Sequence, residues 1–446
     1  MSNETRASFG GKLSAILVAA GSAIGLGSIW RFPYLAGEHG GAAFLLVYLL
    51  CVLIIAIPVM LCEFAVGRKT HKNAVGGFRQ LSKPWQILGF NGILCALFIS
   101  GYYYVIAGWS LDYLVNSVNG SLYSGEADYA AQFASFKDSY WPIVYTLIFI
   151  LLTHFIIARG VEKGIEKASN VMMPILFVIL ILMAVRVAFM PGAAEGYRFF
   201  LTPDFKQAFS AETLFTAAGQ AFFSLSVGMG CMVTYASYFN DKTKLIGTSM
   251  SVSLLTLFVA TLAGLVIFPA VFSAGLEPTE GPSLIFITLP EIFKDMPLAA
   301  LWSAIFFVLI GLAALTSTIS FHEVITAYLA EEHKMSRKKA TYITTGITIV
   351  LSLITLLVTF DFTFLGKQFT STFDIYDYGS ANILLPLGGL FTCIFVGWVM
   401  KPQFFKDEIT NYGTLPGKIV PVLFILVRYV APILILYIFL KGVGMF

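Results

Sequence analysis

Ten stretches of 18 or more residues run along this chain without a single Asp, Glu, Lys or Arg: 13 to 30, 39 to 62, 84 to 111, 139 to 158, 168 to 185, 213 to 240, 245 to 276, 296 to 322, 340 to 360 and 378 to 400. An eleventh, about 419 to 441, is interrupted only by Arg428. Each is near or above the ~20 apolar residues that carry a helix across a bilayer. The pattern predicts an all-α integral membrane protein of eleven transmembrane helices, numbered here as spans 1 to 11. Span 1 is irregular, because Gly21, Gly25 and Gly27 are followed closely by Arg31 and Pro33. Glycine loses the most backbone freedom in a helix and proline has no N–H to donate, so span 1 is expected to break part-way across.

A broken membrane helix frees backbone N–H and C=O groups, which hydrocarbon tolerates only where they line a cavity within the protein. Span 6 shows the same trait, with Gly219, Ser224, Ser226, Gly228 and Gly230 crowded mid-run. Spans 1 and 6 lie five apart. Paired interruptions at equivalent places in two halves are the mark of an inverted-repeat transporter with its site near the midplane. The expected division is a cytoplasmic tail (1–12), a first five-helix repeat (13–190), an external loop (191–210), a second five-helix repeat (211–400), and a cytoplasmic loop with span 11 (401–446). The odd number of helices per half inserts the two repeats in opposite orientations.

Composition agrees: 12% of the 446 residues are charged and mean hydropathy is +0.83, against roughly 25% charge in soluble proteins. With the N-terminus inside, the cytoplasmic segments hold 19 of the 28 Lys and Arg. This positive-inside bias places the C-terminus outside. The net charge of +3 therefore reports topology and not a nucleic-acid partner. The first run is not a cleaved signal peptide, since it leads into Trp30-Arg31-Phe32-Pro33 with no small-residue cleavage site. Five cysteines, all within apolar runs and without CxxC spacing, imply neither a disulfide framework nor zinc. The five histidines are scattered, and His39, His154 and His322 fall in three different runs, so no metal-site spacing is formed. The basic stretch 68 to 83 is expected to lie along the membrane interface. The loop from Glu277 to Asp295 is external and long enough for a lid, with Ile287-Thr288-Leu289-Pro290 as a short re-entrant helix. No His, Glu and Asp cluster lies in the spans, which disfavours an enzyme.

Three constellations carry candidate chemistry. Na+ takes oxygen ligands, and the carbonyls of Gly21, Ile24 and Ala313 with the hydroxyls of Thr316 and Ser317 supply five; the bland alternative is that the two hydroxyls bond back to their own helix. The positive ends of half-helices at Gly25 to Gly27 and Gly228 to Gly230 suit a carboxylate, and no acidic residue sits in the span 1 break. That absence favours a whole amino acid over an amine. Close helix packing is the other use of such glycines. Arg31 and Asp377 are charges at the membrane edge, costly unless paired, and so form a candidate external gate. Arg6 and Glu331 offer the same on the cytoplasmic side, although charges near helix ends also snorkel to water. Tyr103 and Phe223 are candidates to cover the substrate.

The runs Gly25-Leu26-Gly27-Ser28-Ile29-Trp30-Arg31-Phe32-Pro33, Gly40-Gly41-Ala42-Ala43-Phe44, Gly219 to Ser226, Thr234-Tyr235-Ala236-Ser237-Tyr238 and Leu315-Thr316-Ser317 closely resemble the neurotransmitter:sodium symporter family. The likeness follows spans 1 to 10 in order. It implies the leucine-transporter fold and Na+-driven uptake by alternating access, in the amino-acid branch of the bacterial plasma membrane. It puts the second sodium site on Gly21, Ile24, Ala313, Thr316 and Ser317. The substrate pocket would be Ser22, Ala23, Gly25, Gly27, Ile99, Tyr103, Phe223, Ser226, Met229, Ser317 and Phe321. The gates would be Arg31 with Asp377 outside, and Arg6 with Glu331 and Tyr238 inside.

The chain departs from the family in two places. Ser28 and Thr256 stand where relatives carry Asn ligands of the first sodium site, which would fall here on Ala23, Ser28, Ser224 and Thr256. The neighbouring anion position falls near Tyr48, Gln220, Ser224 and Ala260, with no acid at 260, and chloride dependence is left open. A chain lacking the first Na+ has less need of a compensating negative charge nearby, so coupling is expected to rest mainly on the second site. Bulky Ile99 and Phe321 with adaptable Met229 favour a small or medium apolar amino acid. The reading is a sodium-coupled amino-acid symporter of unstated oligomeric state. A proton-coupled or uncoupled carrier of the same fold, or a non-transporting amino-acid sensor, is the alternative.

Overall fold

The computed structural model describes residues 7–124, 128–203, 205–208, 210–275, 284–364 and 367–445. Nine helices among them are long and apolar enough to cross a membrane: Ala42–Thr70, Lys83–Val118, Trp141–Ala158, Val161–Ala188, Leu245–Ser273, Ala299–Glu332, Arg337–Leu357, Thr372–Val399 and Val420–Gly442. A tenth crossing is bent. Its halves, Lys12–Ala23 and Gly27–Glu38, meet at 56°. The run 213 to 240, expected as span 6, is two short helices, Ala211–Ser224 and Cys231–Ala236. They flank a non-helical stretch from Leu225 to Gly230.

Residue chemistry accounts for both breaks. In span 1 the helix ends at Ile24, whose ψ of 87° leaves the helical region. Pro33 does not interrupt the outer half Gly27–Glu38; it follows directly on the π-helical turn Gly27–Arg31, where the regular hydrogen-bond ladder is already altered. In span 6, Ser226, Gly228 and Gly230 all take positive φ, of 51°, 85° and 76°, which the two glycines adopt at no steric cost. Several spans also contain a π-helical turn, among them Gly27–Arg31 and Val161–Glu166. Such turns often mark functional sites.

The two broken spans sit at the centre, against the long helices Lys83–Val118 and Ala299–Glu332, which pack on each other. Apolar side chains on Trp141–Ala158, Val161–Ala188 and Val420–Gly442 are exposed at the perimeter, such as Phe155, Val178 and Ile433. This is the outward-facing surface a bilayer requires.

One expectation is corrected, and two other segments are given their form. The chain is not purely α-helical: span 9 ends at Leu357 and leads into an antiparallel hairpin, β1 (Thr359–Phe364) and β2 (Lys367–Ser371), with Phe362 opposite Phe369. Thr359-Phe360-Asp361-Phe362-Thr363-Phe364 alternates with a period of two, the strand period, and only its first residues fell within the apolar run. The stretch 68 to 83 contains the helix Ala74–Leu81, whose Val75 and Phe78 are buried against protein. The proposed re-entrant segment is a π-helical turn Leu284–Thr288 running into the helix Leu289–Lys294, while Glu277 to Pro282 lie outside the described residues.

Candidate functional site

The broken spans leave a narrow cavity between them, lined by Ser22, Ala23, Gly25, Gly27, Tyr103, Phe223, Ser226, Met229, Ser317 and Phe321. Ile99 is fully buried nearby in the chain but does not line it. No lining residue carries a charge. The Tyr103 hydroxyl accepts the Leu26 amide at 2.9 Å, and the Ser226 and Ser317 hydroxyls donate to the Ser22 carbonyl at 2.9 and 3.4 Å. The Ser22 hydroxyl itself is buried without a hydrogen-bond partner among the described residues. Gly25 permits the close approach, since a Cβ there would meet the Tyr103 hydroxyl at 2.5 Å and overlap Ser317 Oγ.

A second cavity lies beyond the first, lined by Leu26, Trp30, Arg31, Tyr34, Tyr102, Tyr103, Phe223, Phe373 and Asp377. Tyr103 and Phe223 belong to both cavities and so form the wall between them. Arg31 spans the outer one: its guanidinium lies 3.7 Å from Asp377 and 4.7 Å from the centroid of the Phe223 ring. A cation over an aromatic face is favourable, more so as water is excluded. The arrangement is closed on this side.

The oxygen cluster expected for Na+ forms beside the inner cavity. The Thr316 hydroxyl lies 3.3 Å from the Ile24 carbonyl and 3.0 Å from that of Ala313. Gly21 faces the same spot, its hypothetical Cβ 3.5 Å from Thr316 Cβ and 3.7 Å from Ser169 Oγ. The structure adds Ser169, which sequence reasoning did not single out. Ser317 turns its hydroxyl to Ser22 O. The residues of the other expected sodium site are less well gathered. The Ser28 hydroxyl points at the Ala23 carbonyl at 3.5 Å, but that of Thr256 bonds back to Val252 O at 2.9 Å. Ser224 bonds Tyr48 at 2.7 Å, while Gln220 donates to the Gly27 carbonyl at 2.6 Å, tying span 6 to the break in span 1.

On the cytoplasmic side Arg6 lies outside the described residues. Glu331 accepts from the amide and side chain of Asn73, at 2.8 and 2.9 Å. Tyr238 donates to Glu323 at 2.6 Å, and Arg337 clamps the same carboxylate at 2.9 and 2.5 Å. Glu323 is fully buried. The Glu323–Arg337 pair was not anticipated, because Arg337 read as one of several loop cations; His322 next to Glu323 was noted, its neighbour was not. Glu63, also buried and also missed, accepts the Gly228 amide at 2.5 Å. The signal for it was present in the sequence as an acid at the inner end of an apolar run; its partner Gly228 lies in the broken span 6.

Two half-helix pairs around an uncharged cavity, closed by an aromatic wall and an ion pair, define a multi-pass membrane transporter. The chain belongs to the Sodium:neurotransmitter symporter family, whose model matches residues 6–139 and 131–446. It is 37% identical to a sodium-dependent transporter of Bacillus subtilis, YhdH, covering 100% of this chain and 99% of that one. It is 36% identical to a sodium-dependent transporter of Haemophilus influenzae, covering 99% of both. The fold matches the crystal structure of MhsT in complex with L-phenylalanine, with a TM-score of 0.90, 38% identity, and 98% and 100% of the two chains covered.

Proposed function

We propose that this protein is a sodium-coupled symporter that imports a small or medium apolar amino acid by alternating access. The observation that carries the reading is the uncharged cavity between two broken helices, with a cluster of neutral oxygens from Gly21, Ile24, Ala313 and Thr316 at its side. A zwitterion suits such a site. Its carboxylate meets backbone N–H groups and the Tyr103 hydroxyl at the broken end of span 1, its ammonium meets freed carbonyls, and its side chain meets Phe223, Met229 and Phe321. Na+ is a second substrate, held by oxygens on Lys12–Ala23 and Ala299–Glu332, so its binding draws together elements that must part for release. With span 6 counted through its break, the chain crosses eleven times, its N-terminus cytoplasmic and its C-terminus external.

Coupling rests on one Na+ per substrate. The Thr256 hydroxyl is committed to its own helix, Ser28 offers a single oxygen directed at Ala23, and Ala260 supplies no acid beside them. The test is uptake of each of the twenty amino acids into proteoliposomes, with the Na+ gradient and a proton gradient imposed separately. Apolar amino acids accumulate only under the Na+ gradient. Accumulation driven equally by protons, or binding without flux, overturns the symport reading; a measured ratio of two Na+ per substrate overturns the one-ion coupling alone.

A further inference from the structure

A second recess is remote from the transport site. It is a cleft of about 870 Å³ that opens where the outer end of Lys83–Val118 meets the loop helix Tyr129–Lys137 and the start of Trp141–Ala158. Asp112 lies in its wall, only 7% exposed. One carboxylate oxygen accepts the Asn116 amide at 3.0 Å. No Lys, Arg or His pairs with Asp112 among the described residues. Lys137, the cation of the adjacent helix, is turned to the Phe133 ring at 4.8 Å. A buried carboxyl near the membrane edge without a cation is costly, and such residues mark sites where a ligand supplies the missing charge.

The other walls say which charge. Trp141 and Tyr145 line the cleft as a ring pair with centroids 5.6 Å apart, and Tyr113 lines it beside Asp112. A hard metal ion wants six or more oxygens, and among the described residues no three acids, histidines or cysteines are grouped to hold one. Aromatic faces opposite one carboxyl suit an organic ammonium, attracted to the rings and neutralised by the acid.

We propose that this cleft binds an organic ammonium group, with Asp112 as counter-ion and Trp141 and Tyr145 as its aromatic walls. Two sources carry that chemistry: the amine headgroup of an aminophospholipid in the outer leaflet, to which the exposed Tyr140 and Trp141 are adjacent, and a soluble amine from outside the cell. The cleft is independent of the residues assigned to the amino acid and to Na+.

The experiment measures the unfolding temperature of the full-length protein and of Asp112→Asn and Trp141→Ala in nanodiscs of phosphatidylglycerol, with and without phosphatidylethanolamine. A parallel arm titrates ethanolamine and tetramethylammonium into the phosphatidylglycerol discs. Ligand bound only by the folded protein raises its unfolding temperature. A rise with phosphatidylethanolamine alone assigns the lipid source, and a rise with either soluble cation assigns the free amine. In both cases apparent affinity falls about tenfold or more in each variant, while Na+-dependent uptake stays at the wild-type level. No rise in any arm, or a rise that persists undiminished in both variants, overturns the proposal. Trp141→Ala removes a ring and leaves the acid, so the test stands even if Asp112→Asn fails to fold.

Discussion

The Tyr103 hydroxyl accepts the Leu26 amide at 2.9 Å, joining the third span to the break in the first. The same ring packs edge-on against Phe321, with centroids 5.2 Å apart, and walls the cavity off from the outer vestibule. One side chain therefore satisfies a freed backbone donor and closes the site. Tyr103→Phe keeps the wall and removes the acceptor. Leaving a buried N–H unpaired costs about 1–3 kcal/mol. The expected outcome is a lower unfolding temperature without substrate, together with a rise of about tenfold or more in the apparent KM for the amino acid. An unchanged KM would show that the hydroxyl plays no part in binding.

The Na+ cluster makes a separate prediction. The Thr316 hydroxyl lies within 3.3 Å of both the Ile24 and Ala313 carbonyls. Thr316→Val keeps the shape and deletes the oxygen. The Na+ concentration for half-maximal uptake should rise about tenfold, equivalent to about 1.4 kcal/mol. Thr256→Val removes a hydroxyl committed to Val252 and should leave the Na+ dependence within about twofold, since a surrendered bond of this kind is worth roughly 1 kcal/mol or less to the ion. Na+ titrations of uptake by the two variants decide this, and a reversed order of effects refutes the assignment.

Closure on the cytoplasmic side converges on Glu323. Tyr238 and Arg337 both donate to it, and the Phe9 amide donates to the Tyr238 carbonyl at 3.0 Å, so the entry to span 1 is held by the same cluster. Breaking a buried ion pair by removing one partner costs about 3–5 kcal/mol. Arg337→Ala should therefore favour the inward-open arrangement and speed backbone hydrogen exchange over residues 9 to 20, while Tyr238→Phe has a smaller effect in the same direction. Exchange rates equal to wild type in both variants would place the inner closure elsewhere.

Much of this was legible in the sequence wherever a single residue type dictated the outcome. Apolar runs between charges gave nine of the crossings, because hydrocarbon leaves the backbone no other partners. Gly25 and Gly228 marked the breaks, and the residues expected around them are those that line the cavity, Ile99 excepted. What was hidden depended on pairing across the fold. Pro33 reads as a helix breaker but lies within the continuous half Gly27–Glu38, directly after the π-helical turn Gly27–Arg31. Tyr238 is expected with Arg6 and Glu331, and Arg6 lies outside the described residues; the Tyr238 hydroxyl also donates to Glu323, a residue inside a long helix that the sequence reading did not single out. The hairpin β1–β2 was missed because Phe360 continues an apolar run whose period changes from helical to alternating within a few residues.

Glu63 gives the last prediction. It stands on Ala42–Thr70, 1% exposed, and accepts the Gly228 amide at 2.5 Å in the unwound stretch of span 6, while its other oxygen has no partner among the described residues. Gly228 is pinned from both sides, since a Cβ there would overlap the Leu385 carbonyl. The carboxyl thus takes the place of the helical carbonyl that the Gly228 amide lost when span 6 unwound. Glu63→Ala should destabilise the protein by about 1–3 kcal/mol, the cost of an unpaired buried donor, and abolish uptake by freeing the stretch that carries Ser226 and Met229. Glu63→Gln retains an amide oxygen for the same N–H and should recover most of the stability and a measurable fraction of uptake. Unfolding temperature and initial uptake rate of the two variants separate the roles. If Glu63→Gln is as damaged as Glu63→Ala, the site requires the carboxyl itself, and hydrogen bonding to Gly228 is not its function.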